Sequence, residues 1–240
     1  EKVLNAVKSK PRKLSSGGSA AITIHGASVL GAKSYYLGCV ANDDNGKYYT
    51  EDMKSCQVGF NGPGSDKEGT GTCVILITPD AERTMQTFLG ACTALCSDDI
   101  DENIISASKI VYLEGYLFDP PEAKLAFIKA CELAKRANCK VALSLSDPFC
   151  VDRHREAFVD LVFNHVDILF SNEDEIKSLF KVESFDEAAE KIRGKCDVAA
   201  LTRGANWSVI IQGDQTFALS AADVIDVVDT TGAGLSLIHI

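Results

Sequence analysis

What this sequence lacks narrows its function first. It contains no GxxxxGKS or GxxxxGKT stretch, so it is not a P-loop protein. Gly59-Phe60-Asn61-Gly62-Pro63-Gly64 does not lead from a strand into a helix, so it is no dinucleotide fingerprint either. Nine cysteines include no CxxC and no Cys/His cluster of zinc type, and Cys92 and Cys96 are the closest pair. An odd count without a signal peptide favours reduced thiols and a cytoplasmic location. Cys39, Cys73, Cys131, Cys139 and Cys150 sit in apolar or helical runs, where a thiol acts as a small core residue. No apolar run approaches the length of a membrane span. Basic residues are dense only at Lys8-Ser9-Lys10-Pro11-Arg12-Lys13, and the net charge is -10. That argues against a nucleic-acid surface and for a small, locally held ligand wherever phosphate is bound. His25, His154, His165 and His239 have no nucleophile or metal-ligand partner at suggestive spacing.

What is present is a soluble globular composition, 46% hydrophobic and 24% charged, with enough chain for one sizeable core or two small ones. The opening Val3-Leu4-Ala6-Val7 pattern is helical without a start signal. Ser15 to Ser19 breaks it, and residues 20–30 resume as a helix of small residues. The glycine pair Gly17-Gly18 is either a flexible turn or a place where a polar ligand approaches the backbone. Residues 33–40 read as a strand, 42–46 as a turn leading into a helix through Lys54, and 59–71 as loop. Residues 72–78 and 83–89 flank Pro79-Asp80-Ala81-Glu82 as a hairpin outside the later rhythm, a candidate lid.

From there strands at 110–118, 140–146, 166–170 and 198–202 alternate with helices at 121–137, 152–163, 173–180 and 184–193. Ser184 and Glu187 have the spacing of a capping box. Residues 209–211 and 216–219 pair around Gly213-Asp214, and 224–228 form a last strand. This alternation predicts an α/β fold with a mostly parallel sheet, helices on both faces, and ligands at the strands' carboxyl ends.

At those ends stand Ser146, Asp147 and Phe149, then Asn172, Glu173 and Glu175, then Thr202, Arg203 and Gly204. Asp229-Thr230-Thr231-Gly232-Ala233-Gly234 follows the last strand. Acidic and amide groups suit a hydrated Mg2+, while Arg and a helix N-terminus suit phosphates. Each has a bland alternative: Asn172 as a helix cap, Arg203 as a solvated charge, the glycine stretch as a strand-to-helix turn.

SGGSAA (16–21), TGTCVILITPDAERTM (70–85), YLEGYLFDPPEAK (112–124), LSLSDPFCVDRHRE (143–156), VDILFSNEDE (166–175), TRG (202–204) and DTTGAG (229–234) occur in family order. By these stretches the chain resembles the ribokinase-like (PfkB) carbohydrate kinases, and within them the adenosine kinase branch. The resemblance implies a ribokinase-like three-layer sandwich with a small β lid near 70–90, forming one incomplete domain over 1–240. It implies ATP-dependent transfer of the γ-phosphate to a primary hydroxyl of a small nucleoside or sugar, in the adenosine kinases the 5′-OH. Gly232, Ala233 and Gly234 would form an anion hole, with Asp229 beside it, and Arg83 would swing onto the phosphates. Gly17, Gly18 and Ser19 would meet the ribose, and Phe149 would stack on the purine. Thr202, Arg203, Gly204, Thr230, Thr231 and Asn172 would line ATP, and Asn172 with Glu175 would hold Mg2+ through water. A fructokinase- or ribokinase-type sugar kinase, and a non-catalytic nucleotide- or sugar-binding protein, stay open beside this reading.

Three departures stand out. The family's first strand, with its sugar-binding Asp, is expected before Glu1. Ile22 stands where the ribose-binding Asn belongs, a loss of hydrogen bonding worth roughly 1–3 kcal/mol. Leu235 follows Gly234 where the family's GAGD motif has its general base. The tail Leu235 to Ile240 is the translation of CTGTCTCTTATACACATC, a transposon end used in sequencing-library preparation. The expectation is an internal fragment whose residues 235–240 are a non-native tail, of low solubility or partly unfolded. A clean genomic read encoding this tail, or a sharp cooperative melt of residues 1–240, would contradict it.

Overall fold

The computed structural model describes residues 13–60, 62, 64–77, 83–223 and 235, the side chain of Arg83 excepted. The opening helical pattern, the strand expected at 224–228 and the stretch 229–234 lie outside the described residues. The chain divides into two compact units, Glu1–Ala94 with Val228–Thr231, and Leu95–Val227 with Gly232–Ile240.

The first unit carries helix α1 (Ser19–Val29), strand β1 (Ser34–Tyr36), β2 (Val40–Ala41), helix α2 (Asp44–Ser55), β3 (Val58–Phe60) and β4 (Gly64–Ser65). Pairing is parallel for β1 with β3 and for β2 with β4. The region expected as a loop over 59–71 therefore holds two short strands. They escape a periodicity reading because two or three residues show no period. Ala21, Val40, Met53, Val58 and Phe60 form the core here, with Tyr36 stacked on Phe60 at 5.6 Å. Asp43 pins the start of α2: it accepts from Gly46 N–H (2.8 Å) and from Thr70 N–H (2.9 Å) and Oγ1 (2.6 Å).

The hairpin is as expected, β5 (Thr72–Ile77) against β6 (Arg83–Phe88), antiparallel with Ile77 opposite Arg83. Ile75, Ile77, Met85 and Phe88 are all exposed. Cys73, expected in a core, is exposed too, on a ribbon of only two strands. Cys39, Cys131, Cys139 and Cys150 are buried as expected, and all nine thiols are free.

The second unit is built on one six-stranded sheet. In chain order it runs α3 (Glu102–Ser106), β7 (Ile110–Glu114), α4 (Pro121–Arg136), β8 (Lys140–Ser144), α5 (Pro148–Asn164) and β9 (Ile168–Asn172). There follow α6 (Glu173–Phe180), α7 (Phe185–Ile192), β10 (Val198–Thr202), β11 (Trp207–Gln212) and β12 (Gln215–Ser220). The spatial order is β12-β11-β10-β9-β8-β7. Strands β7 to β10 are parallel neighbours, and β11 and β12 add an antiparallel hairpin. Val141, Ala142 and Leu143 of β8, and Ala199, Ala200 and Leu201 of β10, are buried consecutively. Consecutive burial means that both faces of these strands are covered, as parallel sheets require. Phe118, Phe158, Leu143, Leu161, Leu169 and Leu179 fill the core, with Phe118 stacked on Phe158 at 4.6 Å.

Two boundaries differ from the sequence reading in ways that matter for the site. Strand β7 ends at Glu114, and residues 115–118 turn as a 3-10 helix. Helix α5 begins at Pro148, four residues before the expected start, because Asp147 caps it by accepting from Phe149 and Cys150 N–H. At α7, Ser184 accepts from Glu187 N–H (3.4 Å), while the Glu187 carboxylate faces Lys191 (3.6 Å). No helix among the described residues is long and apolar enough to cross a membrane.

Candidate active site

Parallel strands end together, so the last residues of β7, β8, β9 and β10 share one edge of the sheet. Register fixes the neighbours: Glu114 lies beside Ser144, and Asn172 beside Thr202. The connections leaving this edge carry Ser146 and Asp147 after β8, Glu173 and Glu175 after β9, and Arg203 and Gly204 after β10.

Asn172 and Glu175 form the complete reciprocal capping box of the chain's α6 start. Asn172 Oδ1 accepts from Glu175 N–H (2.9 Å), and Glu175 Oε2 accepts from Asn172 N–H (3.0 Å). Asn172 Nδ2 also donates to Glu175 Oε1 (2.7 Å). An exposed cap needs no such burial, yet Glu175 is only 5% exposed. Burial, together with the carboxylates of Glu114 and Asp147, pushes its carboxyl up to about 7, against the Asn172 bonds that favour the charge. The cap reading of Asn172 is borne out, at the carboxyl edge of the sheet.

Glu114 is equally buried and accepts from the Tyr112 hydroxyl (2.7 Å) and from Ser146 Oγ. Ser146 reaches it from a left-handed backbone, φ 70°, a conformation that costs a non-glycine residue roughly 1–3 kcal/mol. Gly115 makes the approach possible: a Cβ there would stand 2.7 Å from the Leu145 carbonyl oxygen. Tyr116 has its hydroxyl pushed up by burial and by Asp147, Glu114 and Glu175. The edge therefore concentrates three carboxylates, Glu114, Asp147 and Glu175. Among the described residues no group of three or more His, Cys, Asp or Glu is placed to hold a metal ion by itself.

Arg203 is not a free solvated charge. Its guanidinium is bidentate to Glu173 (2.9 and 3.1 Å) and lies over Phe185 at 4.4 Å and Trp207 at 5.3 Å. This pair holds Glu173 below the usual carboxylate range. Gly204 follows with φ 58° and open space around it. Phe149 stands in the first turn of α5, 72% exposed.

In the first unit, Gly18 (φ 100°) precedes α1 as its cap and Gly17 O accepts from the Tyr49 hydroxyl (3.4 Å). Ser19 opens the helix, and Ile22 is partly exposed on it. Arg83 begins β6. Asp229, Thr230, Thr231, Gly232, Ala233 and Gly234 lie outside the described residues. The structure thus brings together Phe149, Asn172, Glu175, Thr202, Arg203 and Gly204 along one edge. Glu114 was missed in sequence because a strand read through to Phe118 puts it mid-strand. The Glu114-Gly115 step was the available signal.

The pfkB family carbohydrate kinase model matches residues 4–236. Adenosine kinase from Sinorhizobium meliloti, a crystal structure, superposes with TM-score 0.91 at 38% identity, covering 99% of this chain and 73% of that one. Guanosine-inosine kinase of Escherichia coli K12 is 30% identical over 205 residues, 78% of this chain and 45% of the relative. 5-Dehydro-2-deoxygluconokinase of Halalkalibacterium halodurans is 28% identical over 170 residues, 68% of this chain and 51% of the relative. The chain spans about half the length of these curated relatives. With a ribokinase-like fold and a family match running through nearly every element described, the chain belongs to the pfkB family of carbohydrate kinases.

Proposed function

We propose that the protein takes part in ATP- and Mg2+-dependent transfer of the γ-phosphoryl group to a primary hydroxyl of a nucleoside, the 5′-OH of adenosine. The observation that carries this is the buried Asn172–Glu175 box beside Glu114 and Asp147, at the carboxyl edge of a pfkB-family sheet. Crowded carboxylates of which one is forced toward its neutral form are relieved by a cation. Mg2+ keeps much of its water, so it needs few direct protein ligands. In this reading Asn172 and Glu175 hold the ion through water, and the ion neutralises charge on the ATP phosphates. Thr202, Arg203 and Gly204 line the nucleotide, with Arg203 kept in place by Glu173, Phe185 and Trp207.

The roles of Gly17, Gly18 and Ser19 at the acceptor, of Arg83 at the phosphates, and of Gly232, Ala233 and Gly234 as anion hole rest on the family motifs, as does that of the β5–β6 hairpin as a lid. Asp229, Thr230 and Thr231 belong to the same motif. An exposed aromatic at Phe149 favours a purine acceptor over a bare sugar, because a base offers a face to stack on. A sugar acceptor is the second reading, favoured by the 5-dehydro-2-deoxygluconokinase relative.

Leu235 defines what the chain as printed can do. A leucine takes no proton from a hydroxyl, so this chain binds nucleoside and Mg·ATP without appreciable transfer, and Leu235→Asp supplies the carboxylate that the family motif has at this position. The test is calorimetric binding of adenosine, guanosine, inosine, ribose and fructose, followed by ADP release with each in the Leu235→Asp variant. Preference for adenosine in both assays supports the reading. Binding of a sugar alone moves the acceptor class, and binding of none of the five rejects it.

A further inference from the structure

Helix α5 does not run straight. At His154 the backbone leaves helical values (φ -125°, ψ 25°), six residues after the proline that opens the helix, so proline is not the cause. The neighbouring contacts supply one. Arg153 Nε and Nη2 donate to Asp119 (3.2 and 2.9 Å), and His154 Nε2 lies 2.6 Å from the same carboxylate. Consecutive side chains on a regular helix point roughly 100° apart, and at the break these two meet on one acceptor. On the other side of the ring, Lys124 Nζ stands 3.1 Å from His154 Nδ1. An ammonium only donates, so Nδ1 accepts and the proton sits on Nε2, facing Asp119. The His154 ring also meets the edge of Phe118 at 5.8 Å.

This clamp fixes the part of α5 that lies before the break. Residues 148–153 are tied to the turn after β7 a second time, by Cys150 Sγ donating to the Gly115 carbonyl (3.3 Å). Asp147 caps the first turn of α5. Phe149 projects from it into the open.

We propose that Asp119, with Arg153, His154 and Lys124, is a positioning device for the acceptor's base: by bending α5 at His154 it aims Phe149. This rests on the reading above that Phe149 stacks on a purine, and it adds residues outside the motif positions assigned there. None of the four is a catalytic residue; they act through Phe149.

A double-mutant cycle tests it. Adenosine is titrated calorimetrically into the full chain and its Asp119→Asn, Phe149→Ala and doubly substituted forms. Loss of one base-stacking contact weakens binding about tenfold, so each single variant falls by about that factor. The double variant binds no more weakly than Phe149→Ala alone, because the clamp has nothing left to aim. A merely structural role would instead give independent losses that multiply, and this overturns the proposal. So does an Asp119→Asn variant with unchanged affinity, or a Phe149→Ala variant that binds adenosine normally. Failure of the unsubstituted chain to bind any nucleoside rejects the functional reading itself, and the proposal with it. If Asp119→Asn does not fold, His154→Leu replaces it, since it fills the space but cannot hold Asp119. A tryptophan placed by Phe149→Trp in a Trp207→Phe background gives a ligand-free check. Its acrylamide quenching changes on breaking the clamp if the proposal holds, and stays constant if it does not.

Discussion

Apart from the Arg203–Glu173 pair, the two ends of the parallel sheet handle charge differently. At the amino ends, Lys140 at the start of β8 donates to Asp197 (2.6 Å) and Asp167 (2.9 Å), and Asp167 also accepts from Val141 N–H (2.7 Å). Each carboxylate there meets a cation, in the open, and Lys140 is held above its ordinary range by both. At the carboxyl ends, Glu114 and Glu175 are buried and accept from hydroxyl, amide and backbone groups, with Asp147 adding charge nearby. Paired surface charges are a solvated structural feature, worth little. Burying like charges costs the folded chain stability, and the proposed function places its cation at this edge.

The contrast is best broken at its costly end. Glu175→Gln keeps the shape of the box and removes the charge, so Mg·ATP affinity falls about 10–100-fold, the range for groups that orient or hold a metal from outside its direct ligands. Isothermal titration measures it, and unchanged affinity would mean that the acidic edge is not where the ion sits. Next in size is Gly115→Ala, whose methyl must push the Leu145 carbonyl away from 2.7 Å. Overpacking of this kind costs about 1–3 kcal/mol in urea unfolding, and it moves Glu114 relative to Ser146.

A smaller effect follows from pH. The Glu175 carboxyl is raised in the folded chain from 4.5 to about 7, so the folded state binds this proton more tightly than the unfolded one. Its contribution is fully present below the unfolded value and is lost as pH rises through about 7. The melting temperature attributable to this group therefore falls between pH 5 and pH 8, and the fall disappears in Glu175→Gln. Mg·ATP binding has the reverse slope, tighter at pH 8 than at pH 6. Smallest of all is Lys140→Ala, at the other end of the sheet: little change in melting temperature and none in nucleotide affinity. A large loss of affinity there would erase the distinction between the two ends.

Much of this was legible in the chain's own pattern, and the exceptions have physical causes. The strand–helix alternation after residue 110 reads directly, because strands buried on both faces are short apolar runs and the helices carry caps. Asn172 three residues before Glu175 announces the start of α6. That Glu175 would be buried among other carboxylates is not local information, since Glu114 ends β7 and Asp147 caps α5. The same holds for Arg203, whose partner Glu173 lies 30 residues earlier. The early start of α5 was hidden by placing its helix at Asp152, although Asp147-Pro148 is a cap followed by a first-turn proline. The break at His154 has no sequence signal at all, because it depends on Asp119, 35 residues away.

The most direct test of the account is the number of protons released when Mg·ATP binds, obtained by titration at pH 7 in buffers of different ionisation heat. A Glu175 carboxyl raised to about 7 is partly protonated there and loses that proton when a cation arrives, so the account predicts net proton release on binding, absent in Glu175→Gln. Tight Mg·ATP binding with no proton release, or the same release in Glu175→Gln, would contradict it.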